Sequence, residues 1–208
     1  MLILASSSPR RHELLTQAGY SFTVQAAEID ETPLKHEPAA AYVQRLAIEK
    51  AQAVAAMQPE GVEPLTVLAA DTAVVLTGDV ILGKPVDAAD AARMLRLLSG
   101  RTHAVLTGLA VVTRVPEGFR IRAHVEITHV TFNIILPDEI DAYVATGDPL
   151  DKAGAYAIQG YAARWIPRIE GDYFNVVGLP IAQVVTMLST PYEVQDAGRR
   201  VSRRKQTG

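Results

Sequence analysis

Apolar and polar positions repeat along this chain with two spacings, one typical of helices and the other of strands. Helical spacing, together with capping residues such as Ser8 and Asp87, predicts helices over 8–19, 38–57, 87–100 and 136–147 and from about residue 179. Apolar runs of strand length predict strands over 2–5, 65–70, 103–113 and 121–132, and near Trp165. The acidic segment 28–33 is expected to be a loop.

Two details of the first sheet strands are expected. Asp71 and Thr72 follow the apolar run 65–70, which places them at the end of that strand. The segment 74–82 predicts a hairpin with Gly78-Asp79 as a two-residue loop.

In the last long predicted strand, the apolar residues switch from one face to the other partway along its length. Val125 and Ile127 share one face, whereas Val130 and Phe132 fall on the other. Because successive side chains of a strand point to opposite faces, a bulge near residues 128–129 is expected to restore the register.

The order of these elements indicates the fold class. Helices and strands are mixed, and the two long strands at 103–113 and 121–132 are antiparallel candidates, which favours a mixed α/β fold over a doubly wound one. The length suffices for one large core or for two small lobes around a cleft. We expect a single domain over 1–190 and a flexible basic tail over 191–208, where no core pattern is present.

Composition narrows the classes of function. Hydrophobic residues make up 49% of the chain and charged residues 21%, as in folded globular proteins. The net charge of −3 gives no support to nucleic-acid binding, and the absence of cysteine excludes a disulfide framework, a thiolate zinc site and a cysteine nucleophile. No apolar segment is long enough for a membrane span and no signal peptide is evident, so a cytoplasmic location is expected.

Two apparent motifs are rejected. Residues 78–84 have the glycine and lysine spacing of a Walker A loop, but Pro85 stands where Ser or Thr would hold magnesium. The five histidines show no ligand spacing, and His124 and His129 would face opposite ways on a strand without a bulge. Neither a P-loop nor a histidine zinc site is therefore expected.

The first strand-to-helix turn, Ala5-Ser6-Ser7-Ser8-Pro9-Arg10-Arg11, suits an anion. A helix N-terminus offers free backbone N–H groups, serine hydroxyls add donors, and arginines provide forked charge for phosphate oxygens. Taken alone, the segment is better interpreted as an ordinary helix cap with solvated arginines.

Further charged residues are ambiguous one by one. Asp71 follows buried apolar residues, so a turn residue and a metal ligand or general base are about equally good interpretations. Glu31, Lys50 and Lys84 fit a solvated loop, a helix surface and a turn. The segment 148–160 is different, because it combines acidic, basic, aromatic and amide side chains with glycine, which is typical of a binding loop.

Several of these segments occur in an order that resembles the Maf family of nucleoside triphosphate pyrophosphatases. The resemblance runs from about Leu2 to Leu188 and rests on the motifs Leu4–Arg11, Ala70–Thr72, Gly83–Pro85, Asp151–Gly160, Gly171–Tyr173 and Val177–Pro180. It implies an elongated mixed sheet flanked by helices, with two lobes around a cleft.

The resemblance also implies the residue roles. Asp71 matches the catalytic carboxylate, assigned as general base, and Glu31 would join it in holding a divalent cation, Mg²⁺ or alternatively Mn²⁺. The residues expected to bind the nucleoside triphosphate are Ser6, Ser8, Arg10, Arg11, Lys50, Thr72, Lys84, Asp151, Lys152 and Gln159. Within this set, Arg10, Thr72 and Gln159 match positions that select the substrate.

The loop around Ile158-Gln159-Gly160 resembles the branch of the family that acts on dTTP and UTP. An amide can donate to O4 and accept from N3–H of thymine or uracil, and modified pyrimidine nucleotides could present the same edge. Cytosine presents the opposite pair, which is costly where the mismatch is buried.

Two alternatives stay open at this point. One is a pyrophosphatase for another nucleotide, such as 7-methyl-GTP. The other is a regulator of cell division that binds nucleotide without turnover, because the family is also linked to septum formation. A homodimer is a further expectation, with neither nucleic acid nor membrane among the partners.

Overall fold

A computed structural model of the chain describes residues 1–60, 64–77 and 80–189. The strands are β1 (Leu2–Leu4), β2 (Thr23–Val24), β3 (Thr66–Leu76), β4 (Val80–Leu82), β5 (Thr102–Val115), β6 (Gly118–Thr131) and β7 (Arg168–Glu170). The helices are α1 (Pro9–Gln17), α2 (Ala39–Ala56), α3 (Ala88–Leu98), α4 (Pro137–Ala145), α5 (Tyr173–Val177) and α6 (Ile181–Ser189). Three short 3-10 helices cover Asp148–Asp151, Ala153–Ala155 and Tyr161–Trp165.

In the described part of the chain, seven strands form one mixed sheet. The order is β2-β1-β3-β5-β6-β7, and β4 pairs with β3. β1 runs parallel to β2 and β3, while the pairs from β3 to β7 are antiparallel. The predicted mixed α/β fold is confirmed.

The helices divide the two faces of the sheet unequally. On one face, α2 packs on β3 and β5 through small residues such as Ala47 and Ala51. The other face carries two groups, one around α1, α5 and α6 and one around α3, α4 and the 3-10 helices, and both pack against Ile166, Ile169 and Val176. These two groups contact opposite halves of β3, at Leu68 and at Val74.

Asp71 and Thr72 lie in the middle of β3, so the prediction that they end the strand is wrong. The two apolar runs form one strand because its pairing with β5 continues without a break from Thr66 opposite Thr113 to Val75 opposite Ala104. The sequence pattern showed only an interruption in hydrophobicity. The interruption is tolerated because the Asp71 carboxylate has a charged partner, described below.

The predicted bulge is also wrong. β5 and β6 keep one register from Thr102 opposite Thr131 to Val115 opposite Gly118. No bulge is needed because Ile127 is exposed and Val130 is buried, as simple alternation requires. The strand predicted near Trp165 is present as β7, which begins three residues after Trp165 ends a 3-10 helix.

The predicted hairpin is present, with Val74 opposite Leu82 and Leu76 opposite Val80. The Gly78-Asp79 loop and the predicted tail over 191–208 lie outside the described residues.

Together, β4 and β1 leave a gap on one edge of β3. β1 pairs up to Leu68 and β4 from Val74, so residues 69–73 face no described strand on that edge.

Candidate active site

A cleft of about 420 Å³ opens at the gap between β1 and β4. Since one edge of β3 has no partner strand there, side chains from both faces of β3 reach the cleft. Asp71 lies opposite Gly108 on the α2 face, and Thr72 lies opposite Thr107 on the other face. Every residue predicted for the site lines this cleft: Ser6, Ser8, Arg10, Arg11, Glu31, Lys50, Asp71, Thr72, Lys84, Asp151, Lys152 and Gln159.

The turn from β1 to α1 forms one wall. Ser8 is the N-cap of α1, with its hydroxyl 3.5 Å from the backbone nitrogen of Arg11, and Pro9 occupies the first turn as predicted. The Ser6 hydroxyl accepts a hydrogen bond from the Ser8 backbone N–H at 3.2 Å. The turn thus directs the N-terminal end of a nine-residue helix toward the cleft, which favours an anion.

Arg11 joins this wall to β3 and to the end of α5. Its guanidinium donates to the Gly178 carbonyl at 2.8 Å, the Thr72 hydroxyl at 3.1 Å and the Ser6 hydroxyl at 3.3 Å. Burial lowers the pKa of Arg11, and the charge of Asp71 opposes this effect. Because these donors are engaged within the protein, Arg11 positions the cleft wall in addition to contributing positive charge.

The motif around Gly171–Tyr173 and Val177–Pro180 builds the support for Arg11 and Thr72. Asp172 caps α5 by accepting from the backbone N–H groups of Phe174 and Asn175 at 2.6 and 3.3 Å. The Thr107 hydroxyl lies 2.9 Å from that of Thr72 and donates to the Asn175 carbonyl at 3.1 Å. Sequence reasoning did not assign a role to Thr107 or Asn175, since neither carries a charge or a motif of its own.

Lys50 connects the two predicted metal ligands. Its ammonium nitrogen lies 2.6 Å from Asp71 Oδ1 and 2.7 Å from Glu31 Oε1. The Lys50 and Asp71 side chains are largely buried, with exposed fractions of 14% and 12%. Lys50 is therefore not a helix-surface lysine, and three charges of alternating sign meet at this point of the cleft.

This arrangement shifts the pKa values of Glu31 and Tyr42. Burial raises the pKa of Glu31, but the hydrogen bond and charge of Lys50 outweigh it and leave the pKa below its usual value. Burial and the charges of Asp71 and Glu31 raise the pKa of Tyr42 to about 12. Tyr42 was missed from sequence because its helical spacing is typical of a core position.

The loop that carries Glu31 is held on α2 by side chains. The Tyr42 hydroxyl donates to the Glu31 carbonyl at 3.0 Å. Arg45 donates to the Thr32 carbonyl at 3.2 Å and to both Glu37 oxygens at 2.7 and 2.8 Å. Two helix residues thus fix the position of a segment that has no regular secondary structure.

The segment 148–160 forms the opposite wall through two 3-10 turns. The buried Lys152 ammonium donates to Asp151 Oδ1 at 2.7 Å, Asp148 Oδ1 at 3.0 Å and the Asp148 carbonyl at 2.5 Å. An ammonium has three N–H donors, and those of Lys152 are used within the segment, so Lys152 stabilises the conformation of this loop. The hydrogen bond of Lys152 also lowers the pKa of Asp151.

Glycine is required where this wall meets the sheet. Gly154 has φ +68°, its N–H donates to the Gly83 carbonyl at 3.0 Å, and a Cβ there would lie 2.8 Å from the Val74 side chain. Two residues later, the buried Tyr156 hydroxyl lies 2.7 Å from His103 Nε2. The loop is therefore attached to β4 and β5.

Three predicted residues remain open to a ligand. Arg10, Lys84 and Gln159 line the cleft and form no hydrogen bond to another described side chain. Gln159 is exposed, so the discrimination predicted for it requires the ligand itself to bury the amide. The described residues contain no cluster of three or more His, Cys, Asp or Glu residues placed for a metal ion.

Comparison with known sequences decides the family. A family model described as Maf-like protein matches residues 1–190. The chain belongs to the Maf-like protein family. The motifs that line the cleft are the ones on which the resemblance was recognised, and they come from segments far apart in the sequence.

Curated relatives of this Maf-like chain carry a common name. A protein of Moorella thermoacetica named dTTP/UTP pyrophosphatase is 57% identical over 190 residues, covering 90% of this chain and 93% of the relative. Proteins of Geobacter sulfurreducens and Myxococcus xanthus with the same name are 53% and 51% identical, covering 88% and 90% of this chain and 93% and 91% of the relatives.

Proposed function

We propose that the chain hydrolyses dTTP and UTP to the nucleoside monophosphate and pyrophosphate. One observation carries the proposal: a helix N-terminus, two carboxylates and several cations meet in a single cleft, on a chain 50–57% identical to proteins named dTTP/UTP pyrophosphatase. Positive groups and backbone N–H donors suit a triphosphate, whereas carboxylates suit a metal-assisted attack by water.

The carboxylates fit a divalent cation of the magnesium type. Glu31 and Asp71 each direct one oxygen to the same Lys50 nitrogen, so the two carboxylates are neighbours and each keeps a second oxygen for a shared small cation. Mg²⁺ is commonly held by one or two carboxylates, with water and substrate phosphates completing its coordination, and Mn²⁺ accepts similar ligands. Such an ion would neutralise phosphate charge during the reaction.

The residues divide the chemical work between them. Asp71 accepts the proton of a water molecule whose oxygen attacks the α-phosphorus, while the bond from that phosphorus to the bridging oxygen breaks and pyrophosphate leaves. Arg10 and Lys84, which have no competing hydrogen bond, bind the phosphate oxygens. Lys50 holds Asp71 and Glu31 in position and stabilises negative charge nearby.

Gln159 reads the base edge in this proposal, because its amide can pair with O4 and N3–H of thymine or uracil. Thr72 lies on the same cleft and is fixed by Arg11 and Thr107. Modified pyrimidine nucleotides with an unchanged pairing edge fall within the same substrate class. No described helix has the length and hydropathy for crossing a bilayer, and the cytoplasmic location stays a prediction.

The test is pyrophosphate release from dTTP, UTP, CTP, dATP, GTP and 7-methyl-GTP, with magnesium and with a chelator. Release that depends on the metal and favours dTTP and UTP supports the proposal. Turnover confined to 7-methyl-GTP would keep the chemistry and contradict the assignment of Gln159. Absence of turnover on all six would favour the nucleotide-binding regulator instead.

A further inference from the structure

Arg11 lies between two hydroxyl groups of the cleft wall, those of Ser6 and Thr72. One of its terminal nitrogens donates to Ser6 at 3.3 Å and the other donates to Thr72 at 3.1 Å. A hydroxyl has one hydrogen and two lone pairs, so its other partners decide what it can still offer to a ligand. These other partners differ between Ser6 and Thr72.

The Ser6 hydroxyl is a hydrogen-bond donor toward the cleft. Besides the bond from Arg11, it accepts one from the Ser8 backbone N–H at 3.2 Å, so both of its lone pairs are occupied. Its hydrogen is left for an acceptor in the cleft. A phosphate oxygen is such an acceptor, and the N-terminal end of α1 lies on the same side.

The hydrogen of the Thr72 hydroxyl points to Thr107 instead of the cleft. The Thr107 hydroxyl lies 2.9 Å from that of Thr72 and 3.1 Å from the Asn175 carbonyl oxygen, which can only accept. The single hydrogen of Thr107 therefore points to Asn175, and the hydrogen between the two threonines comes from Thr72. Thr72 thus donates to Thr107 and accepts from Arg11, which leaves one lone pair for a ligand.

Asn175 fixes this direction, because its side chain and its carbonyl group are both held. The side-chain amide donates to the Val105 carbonyl and to the Thr128 hydroxyl, each at 3.0 Å. The carbonyl of Asn175 accepts from the Gly178 N–H at 3.0 Å as well as from Thr107. Because Thr107 and Asn175 are fully buried, water does not compete for the hydrogen of Thr107.

We propose that Thr107 is a positioning residue for substrate selection: it fixes the Thr72 hydroxyl as an acceptor, and Thr72 takes a hydrogen-bond donor of the nucleoside. Ionised phosphate oxygens only accept, so they bind on the Ser6 side of Arg11. dTTP and UTP share two donors, the N3–H of the base and the 3′-hydroxyl of the sugar. The substrate class rests on the proposed function, whereas Thr107 itself does not line the cleft.

Thr107→Val tests the direction, because it keeps the shape of the side chain and removes the acceptor of the Thr72 hydrogen. That hydrogen can then turn toward the ligand. We expect the preference for a donor at Thr72 to fall roughly 3- to 10-fold, as is typical for one hydrogen bond. Thr107→Ser retains the hydroxyl and should stay within about 2-fold of the wild-type preference.

The preference is a ratio of dissociation constants, measured by calorimetry with Mg²⁺ and the non-hydrolysable α,β-methylene analogues of UTP, 3′-deoxy-UTP and CTP. The second analogue lacks the sugar donor and the third lacks the N3–H. We expect one of the two ratios to UTP to change in Thr107→Val, and the same ratio to change in Thr72→Val. A change with 3′-deoxy-UTP identifies the sugar hydroxyl as the donor, and a change with CTP identifies the N3–H.

Thr128→Val is the matched control. Thr128 is as buried as Thr107 and also holds α5, through the Asp172 carbonyl and the Asn175 amide, without a hydrogen bond to Thr72. We expect both valine variants to unfold at lower urea concentration than wild type, and only Thr107→Val to change a ratio.

Unchanged ratios in Thr107→Val overturn the proposal, and so does an equal change in Thr128→Val, which would indicate general loosening of α5. Because the dissociation constants are measured without turnover, such a failure leaves the proposed hydrolysis, tested on the wild-type protein, unaffected.

Discussion

At the residue scale, the site depends on one ammonium group placed between two carboxylates. Lys50 comes from α2, Asp71 from the middle of β3 and Glu31 from a loop, and each charge in this cleft is stabilised by the others. Removing one member of a largely buried charged group leaves its partner unpaired. Substitutions here therefore affect chemistry and stability together, and both have to be measured.

Asp71→Asn keeps the shape of the side chain and removes the carboxylate proposed to accept the proton. We expect kcat for dTTP to fall by about 10²- to 10⁴-fold, as is typical for loss of a general base. Pyrophosphate release and thermal unfolding should be measured on the same preparation. Asp138→Asn, an exposed carboxylate at the start of α4, is the control and should keep wild-type turnover. An Asp71→Asn enzyme with most of its kcat would contradict the assigned role.

Gln159→Ala removes the amide assigned to the base. We expect the ratio of kcat/KM for UTP over CTP to fall by about 10- to 100-fold, because the hydrogen bonds that distinguish the bases are lost. The measurement is kcat/KM for both substrates under identical magnesium. Since Gln159 is exposed in the free protein, thermal stability should not change. An unchanged ratio would show that another group reads the base.

At the element scale, close packing of α2 against the sheet positions Lys50. A Cβ on Gly108 would lie 2.2 Å from the Val43 carbonyl oxygen, so any larger residue displaces the helix. We expect Gly108→Ala to lower the free energy of unfolding by about 1–3 kcal/mol, the usual effect of overpacking. Urea denaturation measures it. Gly83→Ala, where a Cβ meets no atom within 4 Å, should change stability much less.

The loop that carries Glu31 should loosen in acid, because Glu37, which accepts hydrogen bonds from Arg45 of α2, becomes protonated. Hydrogen bonds from Arg45 lower the pKa of Glu37 to about 2, compared with 4.5 ordinarily. A lowered folded-state pKa gives stability that is present above pH 4.5 and is lost as the pH falls toward 2. We therefore expect the stability difference between wild type and Glu37→Gln to shrink from pH 7 to pH 3. A difference in the free energy of urea denaturation that stays constant from pH 7 to pH 3 would contradict this role of Glu37.

At the scale of the whole molecule, the cleft lies where two groups of helices meet one face of the sheet. Its walls come from the β1–α1 turn, β3, α2 and the segment 148–160, so a bound nucleotide would contact elements of both groups. The buried contact between His103 and Tyr156 joins the last of these segments to β5. Ligand binding is therefore expected to stabilise the molecule as a unit.

A non-hydrolysable dTTP analogue with Mg²⁺ should raise the melting temperature. At 100 times its dissociation constant, such a ligand stabilises the folded state by about 2.7 kcal/mol. The matched CTP analogue at the same concentration should give a smaller shift, measured by differential scanning fluorimetry. Equal shifts would indicate that the cleft binds the triphosphate without selecting the base.

The sequence by itself predicted most helices, the mixed fold and a set of residues that the structure brings together in one cleft. Helix caps such as Ser8 and Asp87 act locally, so their effect can be read from neighbouring residues. The site residues were recognised because several short motifs occurred together in order. The short strand β2 and the five-residue helix α5 were missed, since neither is long enough to show a period.

Only the tertiary structure decided where the motifs meet and how. Asp71 and Thr72 share a cleft from opposite faces of β3 because β1 ends before β4 begins, a gap set by pairing between distant strands. Ile127 and Val130 required no bulge, because the helices cover the two faces of the sheet unequally. Hydrophobicity along the chain reports how apolar each position is, whereas the covering of a face depends on segments remote in sequence, and so only the packed structure determined it.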